Sequence, residues 1–275
     1  MKTSASLFFT DILPHRRKLY HKIVKNKIFD GFSAQHAFTK LREAGMDGVE
    51  LILPTFQKVS DEEMAEVKQV LTDCNMPVLS VHQVIRPLMQ TRLAEIVELF
   101  HIADSLGAKV IVLHMSSAGK QVLDKKYIKL VHSLQTKYGI LVGFENREKF
   151  FGSLHRGYGW HEEKFAKLMD DNDFQITLDT THLAHSGGDI IDFFQKNKKR
   201  IINIHLSDYK PHFLNGTLRP MRYKHLPLGK GVLPINEFLE ILKKEKYTGF
   251  VTMEIHADLN GLCESARVIS SVLKK

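Results

Sequence analysis

The feature that most constrains this chain is a recurring kind of strand end. Short apolar runs repeat along it, and each carries or closes on a side chain able to bind a metal ion or move a proton. GVELIL carries Glu50, VLSVH ends in His82, KVIVLH in His114 and GILVGFE in Glu145. FQITLD then ends in Asp179, IINIH in His205 and FVTME in Glu254. Segments with helical spacing lie between the runs, as in Leu93, Ile96, Val97, Phe100 and Ala103 before Gly107. Ser60 and Glu63 make a capping box at the start of another. Short apolar strands alternating with helices suit a parallel sheet covered on both faces. A doubly wound open sheet would gather function at one switch point. Ligand-type residues at seven strands instead require a closed barrel, which brings strand C-termini to one rim. The expected fold is an α/β chain forming a single (β/α)8 TIM barrel, one domain over residues 1–275.

At finer grain, the first strand is expected over Ser6 to Ile12 and the last over Phe250 to Ile255. Pro234 is expected at the first position of a helix whose inner face is Ile235, Phe238, Leu239 and Leu242. The stretch after Asp179 is expected as a polar turn presenting His182, and the longest connection spans residues 207–233.

Composition narrows the class. At 275 residues, 43% hydrophobic and 25% charged, the chain can bury a large core. No apolar run approaches the ~18 residues of a spanning helix, and no secretory signal is visible. No membrane partner is expected, and cytoplasmic location is the default. Two cysteines, neither in a CxxC, do not make a disulfide framework. The formal charge of +8 leans toward an anionic partner such as a phosphorylated substrate or nucleic acid, although surplus lysine more often just solvates a surface. Basic residues concentrate in 15–27, and Arg147 and Arg156 are further candidates for phosphate. Composition leaves the oligomeric state open.

In such a barrel the strand C-termini converge, so Glu145, Asp179, His205 and Glu254 can meet above the core. Three carboxylates and an imidazole form a hard, oxygen-rich set suited to Mn²⁺, Mg²⁺, Co²⁺ or Zn²⁺. Without a cation the carboxylates repel one another, and a divalent ion removes that cost. His82 and His114 end adjoining strands and would serve a second metal beside a bridging Glu145, or bind substrate oxygens. The expectation is one or two ions per chain. His182 would act over the same rim as ligand, proton shuttle or substrate contact. Glu50 is either part of the site or salt-bridged to a loop lysine. His225 either folds back over the site or is solvated.

These residues resemble the xylose-isomerase-like barrel superfamily, which includes sugar isomerases and epimerases and the endonuclease IV type of abasic-site nuclease. The resemblance spans nearly the whole chain and rests on GVEL, Glu145-Asn146, DTTH (Asp179 to His182), HLSD (His205 to Asp208), HLPLGKG (His225 to Gly231) and FVTMEI. It implies that Glu145, Asp179, His205 and Glu254 are metal ligands, and that Glu145 and Glu254 double as an acid/base pair about the substrate carbon. The implied reaction is isomerisation or epimerisation of a sugar or sugar-like polyol through an enediolate. The nuclease branch implies further zinc ligands at His82, His114, His182 and His225, with nucleic acid as partner. Its pattern has Asp two residues before His225, where this chain has Tyr223, a poor zinc ligand. The isomerase or epimerase is therefore the preferred expectation, and a zinc-dependent phosphodiesterase of abasic DNA the alternative.

Overall fold

A computed structural model of the chain describes residues 1–13, 32–53, 59–83, 93–114, 124–148, 161–211 and 223–274. Eight strands run β1 Lys2–Phe8, β2 Gly48–Leu53, β3 Val78–Gln83, β4 Val110–His114, β5 Leu141–Glu145, β6 Gln175–Asp179, β7 Ile201–Leu206 and β8 Phe250–Met253. Each pairs in parallel with its sequence neighbours, and β1 also pairs with β8, closing the barrel. With the helices between strands this is the expected (β/α)8 TIM barrel. The basic stretch 15–27 and Arg156 lie outside the described residues.

Period-two alternation along each strand separates two environments. Ala5, Leu7, Val49, Leu51, Val81, Ile111, Val142, Phe144, Ile176, Leu178, Ile204 and Val251 are buried in the apolar shell with helix residues such as Phe38, Phe100, Phe165, Phe194 and Phe238. The alternate positions are largely polar and equally buried. One set, Ser4, Ser80, Asn203 and Thr252, interlocks by hydrogen bonds with Glu50. Two residues further along the chain stand His82, His205 and Glu254, on the side of the barrel where β4, β5 and β6 end in His114, Glu145 and Asp179.

That inner polar layer explains the main correction to the expected boundaries. The first strand is Lys2–Phe8 rather than Ser6 to Ile12, and Phe9–Ile12 is a helical turn. A search for an apolar run passes over Thr3, Ser4 and Ser6, whose hydroxyls have partners elsewhere in the fold. Residues 180–185, expected as a polar turn, form a short helix capped by Asp179, whose Oδ1 accepts from the His182 amide at 2.6 Å. Pro234 is the residue before the helix Ile235–Lys244 rather than its first member; the four expected inner residues of that helix are all buried. β8 stops at Met253, yet the Glu254 amide still donates to the Leu206 carbonyl at 3.2 Å, so β7 holds this residue in line. No helix among the described residues is long and apolar enough to cross a membrane.

Candidate metal centre

Glu145, Asp179 and His205 are fully buried at the ends of β5, β6 and β7, and Glu254 follows β8. One donor atom from each lies within 4.8 Å of the other three. His205 Nδ1 is 2.7 Å from Glu254 Oε2 and 3.3 Å from Glu145 Oε1. Glu254 is the most open of the four, its side chain 19% exposed against 0–1% for Glu145 and His205.

The site fits a divalent cation on two observations. Asp179 Oδ2 and Glu254 Oε2 are buried without a hydrogen-bond partner, and Glu145 Oε2 lacks hydrogen-bond geometry although His114 Nε2 lies 2.6 Å away, which is costly unless something else satisfies them. The close His205–Glu254 approach likewise leaves Glu254 Oε2 without hydrogen-bond geometry, as expected of two ligands aimed at a common centre. A hard oxygen-rich set with one imidazole suits Mg²⁺, Mn²⁺, Co²⁺ or Zn²⁺.

The carboxyls of the group are shifted in opposite directions. Burial, opposed by His182 but reinforced by the carboxylates of Glu145 and Glu254, pushes Asp179 up to about 8. Burial acts on Glu145 too, but the neighbouring His114, His182 and His205 outweigh it and hold this carboxyl well below its usual range. Glu254 is likewise held low, chiefly by His205 working against burial. Asp179 is thus the carboxyl of the group whose charge burial and its neighbouring carboxylates oppose most.

The other expected histidines all arrive at this rim. His82 and His114 lie with their Nε2 atoms 3.2 Å apart, and each faces Glu145 Oε2, at 3.4 and 2.6 Å. With Glu145 they form a second donor group, so Glu145 belongs to both. Burial pushes His114 down to about 4, whereas Glu145 and Glu50 overcome burial at His82 and raise it to about 9. His182 Nδ1 lies 3.1 Å from the Asn146 carbonyl. Burial opposes its charge, but Asp179 and Glu145 lift it to about 10. Asp179, His182 and His225 make a third donor group.

His225 is buried rather than solvated, and its backbone is left-handed, at φ 47°. Neighbouring backbone and one carboxylate impose this conformation. Residues 208 and 226 form an antiparallel bridge, and the His256 amide donates to the His225 carbonyl at 2.7 Å. Asp208 then accepts from the amides of Gly229, Gly231 and Leu233 at 2.8–3.0 Å, gathering the whole LGKG turn. Burial pushes the Asp208 carboxyl up, and those amides restrain the rise.

Asp208 is a site-building residue that reasoning from strand ends gave no role, although HLSD followed by a glycine turn was the available signal. Asn146 is a second. Its side chain clamps the Asp179 backbone, accepting from the amide at 2.7 Å and donating to the carbonyl at 3.0 Å. Lys224, buried beside His225, pairs with Glu148, and His185 Nδ1 lies 3.4 Å from the same carboxylate. Glu50 is fully buried beneath the rim and touches His82 and His205 rather than a loop lysine.

Residues 38–272 match the sequence profile described as xylose isomerase-like TIM barrel. An uncharacterized protein of Mycobacterium tuberculosis H37Rv is 24% identical over 244 residues, covering 81% of this chain and 84% of that protein. An inosose dehydratase of Clostridium botulinum, strain Alaska E43, is 25% identical over 181 residues, 56% of this chain and 59% of the enzyme. Among solved structures, a D-tagatose 3-epimerase-like protein superposes with TM-score 0.69 at 18% identity, covering 100% of this chain and 97% of that one. The IOLI protein with a bound zinc atom superposes at 0.66 with 15% identity and complete coverage of both. With the profile matched from residue 38 to residue 272 and a closed eight-stranded barrel beneath it, the chain belongs to the xylose isomerase-like TIM barrel family.

Proposed function

We propose that this protein is a divalent-cation-dependent isomerase or epimerase of a sugar or sugar-like polyol. The observation that carries the reading is the placement of Glu145 and Glu254. They come from β5 and just beyond β8, three strands apart in the ring, with Asp179 of β6 and His205 of β7 between them. Two carboxylates facing each other across a substrate carbon can take a proton from one side and return it from the other. Glu254, the more open of the two, is placed to meet the substrate first. A cation held by the four residues would supply Lewis acidity toward adjacent oxygens of a polyol. His182, beside the Asn146 carbonyl and within reach of Glu145, is positioned to hold a substrate hydroxyl. Similarity to a D-tagatose 3-epimerase-like protein and to inosose dehydratases supports a polyhydroxylated substrate.

One observation favours a second reading. His82 and His114 with Glu145, and His182 and His225 with Asp179, offer nitrogen-rich groups beyond the four-residue site, as a multi-zinc phosphodiesterase of abasic DNA would need. The two readings separate in one preparation. In D₂O with a panel of free and phosphorylated ketoses and ketopolyols, the isomerase exchanges a carbon-bound proton beside a carbonyl, and Glu145→Gln and Glu254→Gln each abolish that exchange. Product analysis then tells epimer formation from loss of water. Cleavage of an abasic duplex at catalytic enzyme concentration, with no exchange on any sugar, would overturn the proposal.

A further inference from the structure

We infer that Glu50 is a positioning residue that fixes His205 as an Nδ1 ligand and strengthens its hold on the cation. The inference rests on the reading above that the four-residue rim group binds a divalent ion. Glu50 sits in the middle of β2 with no exposed surface, at a depth where TIM barrels pack branched apolar side chains. A buried carboxylate there needs both donors and a counter-charge. Neutral donors come from three strands: Ser6 Oγ to Oε1 at 3.0 Å, Ser80 Oγ to Oε2 at 2.7 Å and Asn203 Nδ2 to Oε2 at 3.1 Å. Asn203 is oriented in turn, its Oδ1 accepting from Thr252 at 2.8 Å. Both oxygens are thereby occupied, which disfavours Glu50 as a direct ligand.

Two imidazoles also face Glu50, and that of His205 is the one in hydrogen-bond contact. Its Nε2 lies 3.1 Å from Glu50 Oε1 and 3.2 Å from Oε2, between the two oxygens. Nε2 is therefore the nitrogen that keeps its proton, leaving Nδ1 for the rim, 2.7 Å from Glu254 Oε2 and 3.3 Å from Glu145 Oε1. A carboxylate on the far nitrogen of a ligating histidine holds the ring in one orientation and makes the near nitrogen a stronger donor. His82 also faces Glu50, with Nδ1 3.4 Å from Oε1, but that nitrogen lacks hydrogen-bond geometry to any partner. The positioning effect therefore runs through His205.

The test measures cation binding and not turnover. Chelator-competition affinities for Co²⁺ and Zn²⁺ are compared between wild type and Glu50→Gln, which keeps the shape and one acceptor but removes the charge. The expected loss is roughly 10- to 100-fold, with a change in the Co²⁺ visible spectrum and an unchanged far-ultraviolet circular dichroism. In a His205→Ala background the loss should shrink to within about threefold, while in a His82→Ala background it should persist. Ser80→Ala, which removes a neutral donor and leaves the charge, should bind as wild type does. Should Glu50→Gln fail to fold, ¹⁵N-histidine spectra of the Zn²⁺-loaded wild type decide. Nδ1 of His205 metallated and Nε2 protonated is the expected pattern, and the reverse overturns the inference. Wild-type binding with no loss in Glu50→Gln, or a loss undiminished without His205, also overturns it while leaving the metal centre standing. A wild type that binds neither ion overturns both.

Discussion

Asp179→Asn separates two roles of one side chain and is expected to move them in opposite directions. Asparagine keeps the oxygen that caps the helix 180–185, so the fold should survive. What it removes is a carboxyl that burial, opposed by His182 but reinforced by Glu145 and Glu254, holds at about 8 in the metal-free chain against an ordinary 3.8. At pH 7 the folded chain keeps this proton and the unfolded chain has lost it. Folding therefore takes up a proton, and stability falls as pH rises from 3.8 to about 8. At about 1.4 kcal/mol per pKa unit, the cost at pH 7 reaches at most about 4 kcal/mol and vanishes below the lower pKa. Asparagine carries no such cost. In excess chelator at pH 7 the variant should thus be more stable than wild type by about 2 to 4 kcal/mol, with the difference gone near pH 4. Cation affinity should fall by at least about tenfold, because an anionic ligand is lost. Denaturant unfolding with chelator at several pH values, beside a metal competition titration, measures both. A variant less stable than wild type at pH 7 without metal would refute the argument, since Asp179 would then be ionised and well paired in the metal-free fold.

Two further outcomes are expected at the third donor group. Tyr223→Asp, which restores the carboxylate that the nuclease pattern has two residues before His225, should raise the number of Zn²⁺ ions per chain at saturation, read by elemental analysis; unchanged stoichiometry would count against that group as a latent site. Gly231→Ala should place a Cβ 2.2 Å from Asp208 Oδ1 and 2.3 Å from the Tyr209 carbonyl. Relieving those contacts should cost about 1–3 kcal/mol in thermal or denaturant unfolding and release the turn that holds His225, whereas wild-type stability would show the tether to be slack.

Strand ends made much of the rim legible, because in a parallel barrel a strand C-terminus has one destination. Glu145, Asp179, His205, Glu254, His82 and His114 needed only an apolar run and its last residue to be placed together. Other features were hidden because their cause is not local. The start of β1 is hidden in the sequence because its inward residues are Ser4 and Ser6, hydroxyls that look like loop chemistry until Glu50 and Thr252 are seen opposite them. Glu50 sits mid-strand, so its role depends on what β3 and β7 set beside it. The burial of His225 follows from Asp208, seventeen residues earlier in the chain, gathering the amides of 229, 231 and 233. Such a tether joins a carboxylate to backbone, and side-chain patterns do not record backbone partners.

The hydroxyl contact between Ser4 and Thr252, 2.9 Å long across 248 residues of sequence, lies on the seam where the first strand meets the last. From there hydrogen bonds run through Thr252 and Asn203 to the carboxylate of Glu50 and on to His205. An assembly intermediate with an open seam would lack this series and leave a charged group in the interior short of donors. The cation-binding rim is therefore fully supported only in the closed ring. A chain whose eighth strand fails to dock should lose cation binding as a whole, out of proportion to the single ligand, Glu254, that strand helps to place.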